Sequence, residues 1–311
     1  MDSIAGGTLH THLFRTCAAL AVLTLGSLNL YAQVTVLRID PAQTDAAIAT
    51  VYGPHIALYD PQAAPVHRLF LFLVGTNGRA EGSLTIDSTF AKWGYHAISL
   101  DYEDKVVTVT CAHSQDVSCF DHYRDTIVTG APGSDKITVD AANSILNRLQ
   151  KLLAYLVKHD PKGGWGEFVG DDGQPVWSRI VVAGHSQGSG HAAYLGKMFA
   201  VDRVLMFSGP QDYLDDLDKP APWESRTSAT PPSRYFAFLN ENDPFNVHHQ
   251  IANCMVLMDL TKPETQLVEP GEAVTGDSHI LVNYITRNPH GSTLFPEFAT
   301  VWWYMATASV Q

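Results

Sequence analysis

The stretch Gly184-His185-Ser186-Gln187-Gly188 decides how this chain is read. It follows Ile180-Val181-Val182-Ala183, a β-branched run with the make-up of a buried strand. It precedes Ser189-Gly190-His191-Ala192-Ala193-Tyr194-Leu195, where small residues give way to a helical pattern. A strand, Gly-x-Ser-x-Gly and a helix in succession form a nucleophile elbow. The turn is tight, so glycines at 184 and 188 remove side chains that would collide. Ser186 is left projecting, with a helix N-terminus behind it. The Gln187 amide then faces the place where an oxyanion would develop. The competing reading is a strand-to-helix turn carrying an inert serine.

Upstream, Arg68-Leu69-Phe70-Leu71-Phe72-Leu73-Val74 is a continuous apolar run, as expected of a strand covered on both faces. It ends in Gly75-Thr76-Asn77-Gly78, where the backbone can turn its N–H groups toward a ligand. Thr76 or Asn77 would supply a second oxyanion donor there; an ordinary Gly-rich turn is the alternative. Further strands are expected over 34–37, 55–59, 95–100, 203–207, 234–239, 265–268 and 279–284. Helices are expected over 83–92, 247–260 and about 293–306. The leucine stripe from Ile145 to Leu156 reads as a core-facing helix, capped by Asp140 or Thr138. Strands alternating with helices imply a mostly parallel central sheet with helices on both faces. The segments near 104–135 and 210–233 read as irregular walls or lids.

A serine hydroxyl needs a base within hydrogen-bond reach, and the base needs an orienting carboxylate. Past the elbow, Asn240-Glu241-Asn242-Asp243-Pro244 follows a strand, and Asp243 is the preferred acid. Glu241 and Asp212 are alternative acids, and an ordinary turn or cap role also fits Asp243. The base should stand before the last helix. His290, in Asn288-Pro289-His290-Gly291-Ser292, is preferred. His279, placed after the 265–268 strand, is the alternative base. His185 and His191 flank the serine and are held by the turn. His248 and His249 read as helix-surface residues; a metal pair is the sharper reading, but adjacent helical positions face different ways. Tyr102, Phe120, Tyr213 and Trp223 stand near the expected mouth, as lining or as packing.

Together the elbow, the Gly75–Gly78 loop, Asp243 and His290 resemble the α/β-hydrolase superfamily, over roughly residues 55–308. Ser144-Ile145-Leu146-Asn147-Arg148-Leu149, Trp177-Ser178-Arg179-Ile180, Ala221-Pro222-Trp223 and Pro289-His290-Gly291-Ser292 further resemble a bacterial branch known only as BPSS-type hydrolases. The resemblance implies an α/β-hydrolase fold and acyl transfer to water through an acyl-enzyme. It names no substrate. Gly75-Thr76-Asn77-Gly78 stands where many esterases carry His-Gly-Gly-Gly. The expected activity is cleavage of a carboxylic ester, small, lipid or polyester. Other acyl transfer on the same fold (peptidase, lactonase, acyltransferase) and a non-catalytic binding protein are the alternatives.

Composition bounds the partners. The chain of 311 residues is 45% hydrophobic, with 20 Lys plus Arg against 32 Asp plus Glu and a net charge of −12. No basic run suggests nucleic acid. No cofactor motif or zinc spacing is present. Cys17–Leu25 is an apolar core of export-signal length after Arg15, and Leu30-Tyr31-Ala32 could be the cleavage site. The expectation is a signal over 1–32, a hydrolase domain over 33–311 that is secreted or periplasmic, and no stable membrane insertion. Cys111 and Cys119 suit a small disulfide-closed loop in an exported protein, whereas Cys254 suits a buried thiol.

Overall fold

In the computed structural model, which describes residues 1–3, 6–7 and 34–310, the chain divides into two units, Met1–Tyr31 and Ala32–Gln311. The expected export signal lies outside the described residues. In the second unit the apolar runs become strands: β1 (Thr35–Ile39), β2 (His55–Tyr59), β3 (Leu69–Leu73), β4 (His96–Leu100), β5 (Ile180–His185) and β6 (Arg203–Phe207). After them come β7 (Tyr213–Leu214), β8 (Lys219–Pro220), β9 (Tyr235–Asn240), β10 (Thr265–Leu267) and β11 (Ile280–Asn283). The helices are α1 (Pro41–Thr44), α2 (Leu84–Lys92), α3 (Cys119–Thr129), α4 (Ile145–His159), α5 (Gln187–Met198), α6 (Val247–Leu257) and α7 (Ala299–Thr307).

Among the described residues nine strands form one sheet in the order β1-β2-β4-β3-β5-β6-β9-β11-β10. β2 pairs antiparallel with both β1 and β4, and every other pairing in this sheet is parallel. The architecture is an α/β-hydrolase fold. All five residues of β3 are buried, as a central parallel strand between helical layers requires. Because these strands run the same way, their C-terminal ends collect the loops after β3, β5, β6 and β9 at one sheet edge. β7 and β8 form a small separate hairpin.

The last helix, expected from about 293, begins only at Ala299, the 210–233 segment holds the β7–β8 hairpin, and two further expectations change. The long helix is capped by neither Asp140 nor Thr138. Ser144 does so, its side chain accepting from the Asn147 N–H, while Asp140 caps the short turn before it. The 104–135 segment is also not irregular throughout, since α3 runs through it. Its buried face, Phe120, Tyr123, Arg124 and Ile127, has helical spacing and ends at Gly130 in the left-handed region (φ 80°). The buried arginine in that face hides the periodicity.

Cys111 and Cys119 are bonded, with a sequence separation of 8, and Cys254 is a buried free thiol. The bridge anchors the turn Thr108–Cys111 to the start of α3. Closing so short a loop stabilises the fold by about 2–3 kcal/mol on the chain-entropy relation. Reduction with dithiothreitol is therefore expected to lower Tm by about 3–5 °C, read by differential scanning calorimetry.

Candidate active site

The elbow forms because its neighbours leave room for nothing else. A Cβ on Gly184 would stand 2.1 Å from the Gly188 carbonyl oxygen, and one on Gly188 would stand 2.0 Å from the Leu73 carbonyl oxygen. Between them Ser186 adopts φ 56° and ψ −121°, a conformation costly for a non-glycine residue. The surroundings enforce it. Ser186 N–H donates to Phe207 O at 2.8 Å, and the Ser186 carbonyl accepts from Ser189 N–H at 3.0 Å and Ser189 Oγ at 2.5 Å. Gln187 opens α5, so its N–H has no carbonyl four residues back in the helix.

The loop after β3 comes alongside. Asn77 lies in the left-handed region (φ 58°), and Gly78 N–H closes the turn onto Gly75 O at 2.9 Å. Asn77 N–H is donated to Asp104 O at 3.1 Å. Thr76 N–H has no hydrogen-bond partner among the described residues, which favours Thr76 over Asn77 as the second donor. Thr76 Oγ1 donates to Gln187 Oε1 at 2.6 Å, so the loop is tied to the elbow by the side chain of the elbow's own glutamine.

The turn after β9 carries Asp243, and Phe245 N–H donates to its Oδ1 at 2.9 Å. His290 Nδ1 lies 2.9 Å from Asp243 Oδ2 and 3.1 Å from Oδ1. An ionised carboxylate only accepts, so the imidazole proton belongs on Nδ1 and the Nε2 lone pair is left free. Burial pushes the Asp243 carboxyl up, but the hydrogen bond and charge of His290, aided by Phe245 N–H, outweigh it and hold the carboxyl below its ordinary value. The His290 ring is flanked by Phe245 and His185, at 4.6 and 4.8 Å between centroids.

Ser186, Gln187, Thr76, Asn77 and His290 all line one cavity of about 360 Å³, walled by Val107, Val109 and Phe245. A second cavity of about 380 Å³ shares Val109, Gln211 and Phe245 with the first. The second space adjoins the first at these three residues and is lined further by Ala112, His113 and Tyr213. His249, expected on a helix surface, lines this second space, stacked on Tyr213 at 3.7 Å and 3.4 Å from Asp215. Among the described residues no group of three or more His, Cys, Asp or Glu side chains is placed to hold a metal ion.

The alternative site residues fall elsewhere. His279 precedes β11 at the opposite end of the parallel strands, not at a C-terminal end. There its Nδ1 lies 2.9 Å from Tyr235 O and its ring stacks on Phe236 at 4.2 Å. Asp212 is buried against Arg124, whose Nε and Nη2 donate to its two oxygens at 3.0 and 2.6 Å, and it also accepts from Trp223 Nε1 at 2.9 Å. It orients an arginine, not a histidine. Glu241 donates its N–H to Asn283 O at 2.9 Å, and its carboxylate has no hydrogen-bond partner among the described residues. Of the four aromatics near the expected mouth, Tyr102, Phe120 and Trp223 are core, and only Tyr213 reaches the cleft.

Residues outside the expected set also serve the site. Arg124 Nη1 donates to Gln187 O at 2.7 Å, pinning the first turn of α5 from the α3 side. The only signal for it was a lone arginine within an apolar helical face. Val107 and Val109 gave no signal, because Val107 is a single extended residue and Val109 sits in a one-turn helix, too short to carry a periodicity.

No family model matches the chain, and no curated protein matches it. Among solved structures, a candidate carboxylesterase of Lactobacillus plantarum aligns with 88% of this chain and 92% of its own, at 13% identity and a TM-score of 0.39.

Proposed function

We propose that this protein is an exported serine hydrolase that cleaves carboxylic esters through an acyl-enzyme, and that it belongs with the BPSS-type branch of the α/β-hydrolases. The observation that carries the reading is the Asp243–His290 pair on the cavity into which the strained Ser186 turns. His290 Nε2 takes the hydroxyl proton as Ser186 Oγ bonds to the ester carbonyl carbon. The Gln187 and Thr76 amides receive the developing oxyanion. As the tetrahedral species collapses, the C–O bond to the alcohol breaks and His290 returns the proton to the departing oxygen. Water then adds to the acyl group, giving its proton to His290. The acid leaves, and Ser186 regains its hydrogen.

The adjoining space beside Tyr213 and His249 is where the second half of an ester would lie. The Cys111–Cys119 bridge suits an oxidising compartment and so supports export. The test is covalent. A fluorophosphonate probe is expected to label the purified protein on Ser186 alone, located by peptide mass mapping. An unlabelled protein, or a label on another residue, overturns the reading. A panel of p-nitrophenyl esters, amides and lactones then separates esterase from the other acyl-transfer chemistries.

A further inference from the structure

A histidine base has to satisfy two directions at once. Nδ1 of His290 is held by Asp243, and Nε2 must meet the serine. Side-chain bonds set how the ring is turned; the main chain sets where it stands. That main chain lies in the irregular stretch between β11 and α7, which by itself fixes no distance to the elbow.

The fixing comes from the sheet. His185 Nε2 lies 2.8 Å from the His290 carbonyl oxygen, and Ser208 Oγ donates to the same oxygen at 2.7 Å. A carbonyl only accepts, so His185 carries its ring proton on Nε2 and donates it there. Ser208 Oγ also lies 2.8 Å from Thr293 Oγ1, which ties the far side of the loop to the same point. Burial, and then the like charge of His290, push His185 down to about 4, so its ring is a neutral donor above that pH. The two donors are not placed at random. His185 is bonded to Ser186, and Ser208 is bonded to Phe207, whose carbonyl takes the Ser186 N–H at 2.8 Å. Each donor is thus one residue from the backbone that fixes the serine.

We infer that His185 and Ser208 are positioning residues, which set the distance between Ser186 and His290 by gripping the main-chain carbonyl of His290. The inference rests on Ser186 and His290 serving as nucleophile and base. It adds that the residue before the serine does more than fill the turn. A displacement of the base by about 1 Å can cost about 100-fold in rate.

The experiment compares His185→Phe, which keeps a flat ring without a donor, His185→Gln, which keeps an N–H, and Ser208→Ala. On p-nitrophenyl acetate, His185→Phe is expected to lose about 10- to 100-fold in kcat with KM unchanged. His185→Gln is expected to recover much of that loss. Ser208→Ala should show the same kcat-only loss, and it decides the matter if His185→Phe does not fold. A purely structural role would lower Tm and leave kcat per folded molecule intact, which overturns the inference. So would a glutamine variant no better than phenylalanine, or a rise in KM alone. An unlabelled wild-type protein, or an active Ser186→Ala, instead overturns the underlying assignment of nucleophile and base.

Discussion

Ser186→Ala is expected to lower kcat on p-nitrophenyl acetate by about 10⁵- to 10⁶-fold and to remove the initial burst of nitrophenol. On the proposed mechanism the substitution deletes the atom that bonds to the acyl carbon. It removes little else, because the Ser186 hydroxyl has no hydrogen-bond partner among the described residues; only its main-chain groups are engaged. The turn is held by Phe207 O and Ser189, so the variant should fold with Tm near that of the parent. Residues acting as one unit are not additive, so His290→Ala should cost about as much, and the double variant scarcely more. Steady-state kinetics beside a calorimetric melt checks this. A folded Ser186→Ala that still turns over ester at the parent rate ends the serine-hydrolase reading.

The second large effect separates two aspartates that look alike in the sequence. Asp243→Asn should leave the fold nearly intact while kcat falls by about 10⁴-fold, because an amide no longer fixes the Nδ1–H tautomer of His290 or stabilises its charged form. Asp212→Ala should do the reverse. It strands the buried Arg124 guanidinium, whose loss of a partner costs about 3–5 kcal/mol. For a domain of this size that is a fall in Tm of about 5–9 °C. Remaining activity per folded molecule should stay well above that of Asp243→Asn. The measurement is Tm and kcat on both variants; the crossed result, with Asp212→Ala stable but inactive and Asp243→Asn active, would make Asp212 the acid.

Much of this molecule is legible without coordinates because its central strands are buried on both faces. Runs such as Leu69–Leu73 and Arg203–Phe207 carry an apolar pattern that no exposed segment could tolerate. The elbow is legible because sterics restrict the sequence so tightly at 184 and 188. The positions of Asp243 and His290 follow from chain order. Their meeting does not, since 47 residues separate them and only the sheet brings their loops together. The preference for Thr76 over Asn77 was likewise hidden, because it turns on Asp104 O receiving one amide and not the other. Asp212 shows the limit most plainly. A strand-end aspartate has the same local sequence logic whether its partner is an imidazole or a guanidinium, and Arg124 reaches it from another element, 88 residues away.

The bond from Thr76 Oγ1 to Gln187 Oε1 has a consequence for how the reaction begins. It joins the two residues proposed to donate to the oxyanion, and it is made between protein side chains alone. Their separation is therefore set when the chain folds, and its ordering cost does not recur with each turnover. On the proposed mechanism, an ester would meet two donors whose loops are already tied to each other.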